Sequence, residues 1–146
     1  MIVVANRQTL PVDLPRVRRT LRSALRALGV WDHELSLTLV DDRTIRALNA
    51  RYRGVRRRTD VLAFPLAGPA AVFGEAVISV ETARRQARAL GHTPAEELDL
   101  LCCHACLHLA GYDDRDPREA RLMHAREMDL LGHLYERPAR TLHVGA

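Results

Sequence analysis

The chain contains no lysine; all 22 of its basic residues are arginine, against 18 acidic ones, for a formal net charge of +4 and a pI near 9.5. Arginine presents a permanently charged planar fork suited to phosphate. Uniform arginine use also follows genome composition, so the charge alone gives only a slight lean toward nucleic acid. No stretch approaches the roughly 18 unbroken apolar residues needed to span a bilayer. The opening Met1-Ile2-Val3-Val4-Ala5-Asn6-Arg7 lacks the basic start and apolar length of a secretory signal. Cysteine is sparse and odd in number: Cys102, Cys103 and Cys106 crowd one short segment, which excludes a disulfide framework across the fold. A reduced, cytoplasmic protein with no membrane partner is expected. Internal repeats, low-complexity tracts and dividing linkers are also missing. The 146 residues, 47% hydrophobic and 27% charged, therefore suit one globular domain over 1–146 and exclude a disordered tail.

The patterning that is present alternates between two periods. Residues 2–5 and 34–40 read as strands, the second with Leu35, Leu37 and Leu39 alternating with Ser36 and Thr38. Between them Val17, Leu21, Leu25 and Leu28 recur at helical spacing, with arginines on the other faces and Gly29 as the stop. A short helix follows Asp42, with Ile45 and Leu48 inward. Strands are expected at 61–64 and 76–80, and a helix at 81–90. Thr93-Pro94-Ala95-Glu96 combines an N-cap, a helix-starting proline and a capping-box glutamate. From Leu98 to Ala110 the helix is apolar on nearly every side, which predicts a buried central helix ended by Gly111. Asp116-Pro117-Arg118-Glu119 repeats the start signal, and Gly132 is expected to close the last helix. The fold class is α/β or α+β: a small mixed, mostly parallel sheet packed with helices.

His104 and His108 stand four residues apart on the apolar helix, so their rings emerge roughly 40° apart around its axis and one turn along it. Burying two imidazoles among apolar side chains is costly unless each finds a partner. Gly111 then turns the chain, and Asp113 and Asp114 follow, completing His-x3-His-x2-Gly-x2-Asp. In the plainer reading the histidines bond to backbone and the aspartates cap the next helix. In the sharper one His104, His108 and Asp114 hold a metal. Two nitrogens, one oxygen and an open position suit catalytic zinc, which activates water and polarises an ester oxygen. The pattern also resembles the zinc helix of metzincin proteases, but Ala105 stands where those enzymes place their glutamate base, which removes a peptidase mechanism. Cys103 and Cys106 fall on a different side of the helix and read as small buried fillers.

Five arginines fall between 51 and 58, within Leu48-Asn49-Ala50-Arg51-Tyr52-Arg53-Gly54-Val55-Arg56-Arg57-Arg58-Thr59-Asp60-Val61-Leu62-Ala63-Phe64-Pro65. Such a stretch is either a solvated basic loop or, near a metal, a cradle for phosphate. Tyr52 adds a stacking surface, so Arg51, Tyr52, Arg56, Arg57 and Arg58 suit single-stranded RNA.

These two stretches together resemble the YbeY family, whose pattern runs from LN-x-x-YRG through TDVLSFP to HGxLHLxGYDH. This chain has Leu48-Asn49, Tyr52-Arg53-Gly54, Thr59 to Leu62, Phe64-Pro65, Gly74-Glu75, Ile78-Ser79, Gln86-Ala87 and His104-x-x-Leu107-His108-Leu109-x-Gly111-Tyr112-Asp113 in the same order. The resemblance implies a metalloprotease-like α/β fold with one zinc ion held by three histidines. It also implies single-strand-specific endoribonuclease activity in 16S rRNA 3′-end maturation and ribosome quality control. Expected partners are the ribosomal RNA precursor and the small ribosomal subunit, with no DNA. His104 and His108 fall on the first two ligands and Arg53 on the arginine implicated in activity. Asp114 replaces the third histidine, Ala105 the family glycine and Ala63 the family serine. An aspartate ligand makes the ion a weaker Lewis acid, and Asp113, His124 or loss of the metal are the alternatives. No residue is an obvious general base. The competing reading is a ribosome-assembly factor that binds RNA without cutting it.

Overall fold

The computed structural model describes residues 1–52, 56–57, 61–65 and 72–142. Five strands form one sheet: β1 (Ile2–Asn6), β2 (Glu34–Val40), β3 (Arg56–Arg57), β4 (Val61–Pro65) and β5 (Val72–Ser79), in the order β1-β2-β5-β4-β3. Five helices accompany it: α1 (Leu14–Ala27), α2 (Asp42–Arg51), α3 (Val80–Leu90), α4 (Pro94–Leu109) and α5 (Pro117–Leu142). The sheet is mixed, as expected, but the parallel pairs do not predominate. β1–β2 and β2–β5 are parallel, whereas β5–β4 and β4–β3 are antiparallel.

Alternation along the strands decides which helix covers which face. Leu35, Leu37 and Leu39 of β2 join Val61, Ala63, Ala76 and Ile78 in the main core against α1, α3 and α4. Leu62, Val77 and Val40 point the other way and meet Ile45 of α2. The register agrees, since Val61 pairs with Ile78 and Leu62 with Val77, one pair for each face. Fully burying a leucine such as Leu37, Leu101 or Leu107 contributes about 1.5–3 kcal/mol, so this layer dominates the stability of the fold.

The helix boundaries follow side-chain chemistry. Strand β5 ends one residue before the expected Val80, because the Ser79 hydroxyl accepts the Thr82 N–H (3.3 Å) and caps α3. The predicted capping box of α4 is present: Glu96 N–H donates to Thr93 Oγ1 (3.1 Å), and Thr93 N–H donates to Glu96 Oε1 (2.8 Å). Helix α4 is buried along nearly its whole length. Its C-terminal end presses on β5 at Gly74, where a Cβ would lie 2.6 Å from Leu109 Cδ2 and 2.9 Å from the Phe64 carbonyl oxygen.

Helix α5 corrects an expectation, for it continues through Gly132 to Leu142. A glycine inside a helix costs only about 1 kcal/mol relative to alanine. Tyr135, one turn beyond, is held by donating its hydroxyl to buried Asp99 (2.5 Å), and Gly132 does not adopt the positive φ of a helix stop. No helix among the described residues is long and apolar enough to cross a membrane.

Candidate metal centre

His104 and His108 leave α4 on one face, with ring centroids 4.6 Å apart and planes at 79°. They are 3% and 1% exposed. After the helix, Gly111 adopts φ 103°, a left-handed turn that glycine makes without steric cost. The Tyr112 N–H donates back to the Leu107 carbonyl (2.9 Å), and the chain returns over the histidines. Asp113 shapes that return: its Oδ1 accepts the Asp114 N–H (2.8 Å) and its Oδ2 pairs with Arg115 Nε (2.7 Å). The next side chain, Asp114, brings Oδ2 to 4.0 Å from His104 Nε2. His104, His108 and Asp114 thus place their ligand atoms within 4.8 Å of one another.

The donor set fits a metal ion. His108 Nδ1–H donates to the Tyr112 carbonyl (3.1 Å), and His104 Nδ1–H donates to the carboxylate of Glu127 on α5. Each ring therefore keeps its Nε2 as a lone pair, and both Nε2 atoms are buried with no hydrogen-bond partner among the described residues. Leaving one such atom unpaired costs about 1–3 kcal/mol, a cost that an ion would remove. Burial lowers the His108 pKa, and the neighbouring His104 lowers it further. Its imidazole is thereby kept neutral, the form that binds metal.

The other candidates separate from this cluster. Asp113 spends its oxygens on the turn, and the side chain of His124 is 69% exposed with Nδ1 3.6 Å from Glu127 Oε1. Arg51 and Tyr52 lie at the end of α2, on the opposite face of the sheet from α4. The Arg51 guanidinium sits 5.3 Å above the Tyr52 ring, which meets Phe64 edge-on at 5.4 Å. The backbone of Arg56 and Arg57 forms β3, while their side chains, with Arg53 and Arg58, lie outside the described residues. All three cysteines are buried and free. Burial raises their thiol pKa values, that of Cys106 to about 12, so they stay protonated and unreactive.

Glu127 was not anticipated from the sequence. Its only local signal is an acid on the inward stripe of α5 between Met123 and Leu130, and both of those are 1% exposed. A carboxylate on a buried stripe calls for a partner, but the sequence does not say which.

A buried histidine pair on one helix, joined by a carboxylate across a glycine turn and set against a small mixed sheet, defines an α+β protein with a candidate metal centre. Comparison with known proteins specifies the family. The family described as Endoribonuclease YbeY matches residues 4–135, and the chain belongs to it. It is 45% identical over 118 residues to an Endoribonuclease YbeY of Anaeromyxobacter dehalogenans, covering 79% of this chain and 61% of that relative. To the Endoribonuclease YbeY of Thermobifida fusca it is 38% identical over 141 residues, covering 89% and 91%. The chain spans about three fifths of the length of the two Anaeromyxobacter relatives. The solution structure of TM1509 from Thermotoga maritima superposes with a TM-score of 0.64 at 25% identity, covering 97% of this chain and 94% of that one.

Proposed function

We propose that this chain is a metal-dependent endoribonuclease that cuts single-stranded RNA, with His104, His108 and Asp114 holding one zinc ion. The observation that carries this reading is the pair of buried Nε2 atoms that have no hydrogen-bond partner among the described residues and lie beside one carboxylate. Bound zinc supplies Lewis acidity toward a phosphodiester oxygen and lowers the pKa of water. Two neutral imidazoles and one carboxylate leave a single net positive charge at a divalent ion. Neutralising the phosphate then falls more heavily on arginine, and Arg53 is assigned that task. Arg56, Arg57 and Arg58 contact the strand beside it through charge, while Arg51 and Tyr52, on the other face of the sheet from α4, meet the strand farther from the ion, through charge and base stacking.

Family membership supports RNA as the substrate. The finer reading is a cytoplasmic enzyme of one domain over 1–146, acting near the 3′ end of the 16S rRNA precursor, on the small ribosomal subunit, and in ribosome quality control.

Metal analysis and RNA cleavage by the purified protein, beside His104→Ala and Asp114→Ala, test the proposal. The wild type is expected to retain about one zinc per chain and to cut single-stranded RNA. Both variants are expected to lose the ion and the cleavage together. A metal-free wild type that binds RNA in a salt-sensitive way without cutting it would instead identify a non-catalytic assembly factor.

A further inference from the structure

Each candidate ligand histidine is oriented through its Nδ1, and the two are oriented by different means. His108 uses a neutral backbone carbonyl four residues along the same turn. His104 uses a charged side chain 23 residues away, Glu127, whose own side chain is only 8% exposed. Glu127 reaches it because α5 is docked against the core. Met123 and Leu130 are buried on either side, Tyr135 donates to Asp99, and an Arg126 Nη2–H donates to the Ala27 carbonyl (3.2 Å). The second Glu127 oxygen lies 3.6 Å from Nδ1 of the exposed His124. The buried carboxylate takes its hydrogen bond from His104.

We propose that Glu127 is a positioning residue for the metal centre: by accepting the His104 Nδ1–H it fixes the tautomer that leaves Nε2 free to bind an ion and couples ion affinity to the docking of α5. The proposal rests on His104 being a ligand. A neutral imidazole left to itself divides between two tautomers, and only one of them has its lone pair on the nitrogen that faces Asp114. A carboxylate acceptor selects that form, holds the ring plane and strengthens the other nitrogen as a donor to the metal. Linkage is reciprocal, so what favours the docked α5 favours the ion, and the ion favours the docked helix.

The test compares Glu127→Gln, which keeps the shape and removes the charge, with Glu127→Ala and with His124→Ala as control. Zinc affinity is measured by competition with a chelator. It is expected to fall about 10–100-fold in the two Glu127 variants and to stay within twofold in the His124 variant. Glu127→Gln keeps the test valid if the alanine variant does not fold. A second readout needs no metal: ring-nitrogen NMR of the metal-free protein in mildly alkaline buffer. It is expected to show His104 protonated at Nδ1 in the wild type and redistributed toward Nε2 in Glu127→Ala. Added zinc is expected to slow amide exchange across α5 in the wild type and to lose that effect in Glu127→Gln. Unchanged zinc affinity in both Glu127 variants, a wild-type His104 without a proton on Nδ1, or α5 exchange indifferent to zinc would overturn the proposal. A wild type that binds no zinc defeats the ligand reading instead, and the NMR result then decides the role of Glu127 separately.

Discussion

Helix α4 carries two sets of buried polar groups, and they are completed differently. Asp99 is 2% exposed, and both of its oxygens are satisfied: Arg16 lays its fork on the carboxylate (Nη2 at 2.7 Å), Thr20 donates at 2.9 Å and Tyr135 at 2.5 Å. Five residues on, His104 and then His108 are just as deeply buried, but among the described residues each has a partner for one nitrogen and none for the other. The first set is closed and ties α1, α4 and α5 together. The second is open, and its unpartnered atoms lie toward a common carboxylate. A folded chain satisfies its buried polar atoms almost everywhere; among the described residues Asn49 Oδ1, Arg84 Nε and these two Nε2 atoms lack a partner, and it is the two Nε2 atoms that lie together beside a carboxylate, which makes theirs the place to look for a ligand.

Three experiments break or sharpen that contrast. Asp99→Ala is expected to cost the most, about 3 kcal/mol of unfolding free energy, because it removes the carboxylate that the Arg16 fork and the Tyr135 hydroxyl share. The 29% exposure of the Arg16 side chain keeps the loss at the low end for a buried pair. Urea unfolding measures it, and a loss below about 1 kcal/mol would remove the distinction between a closed and an open set. Zinc at about 100 times its dissociation constant is expected to stabilise the wild type by about 2.7 kcal/mol and His104→Ala not at all. An equal thermal shift in both proteins would place the ion elsewhere.

The third experiment uses another closed set. Burial opposes the charge on Asp42, but donors from Arg85 (2.6 Å), Ser79 (2.6 Å) and Thr82 outweigh it and hold the pKa at about 2, below the ordinary 3.8. A depressed carboxylate pKa stabilises the fold above the unfolded value, and that stabilisation disappears as the pH falls from 3.8 toward 2. Its size is about 2 kcal/mol. Asp42→Asn is expected to remove this acid limb from the curve of stability against pH. Parallel curves for the two proteins would show that the network carries no such charge.

What sequence reading captured was local. The alternation in Leu35-Ser36-Leu37-Thr38-Leu39, the capping box at Thr93 and the spacing of His104, His108 and Asp114 each lie within a few residues, and each is found in the structure. What it missed depends on distance or on competition. The contact between Glu127 and His104 exists only after α5 has docked, and nothing in either segment names the other. Gly132 looked like a stop because its own preference was weighed without Tyr135, whose bond to Asp99 lies beyond it. The antiparallel pairing of β4 and β5 was legible in principle: the six residues between them are too few for a parallel crossover. The part played by Arg53 and Arg58 belongs to residues outside those described.

Gly74 sets a mechanical tolerance for the whole centre. The strand hydrogen there is a shim: it fixes how near the sheet may come to Leu109, the residue joined directly to His108. Even a methyl group would meet the Leu109 side chain at 2.6 Å and the Phe64 carbonyl oxygen at 2.9 Å, so one or both would have to give way. The spacing between the sheet and the helix that carries His104 and His108 is therefore gauged partly by a residue that has no side chain.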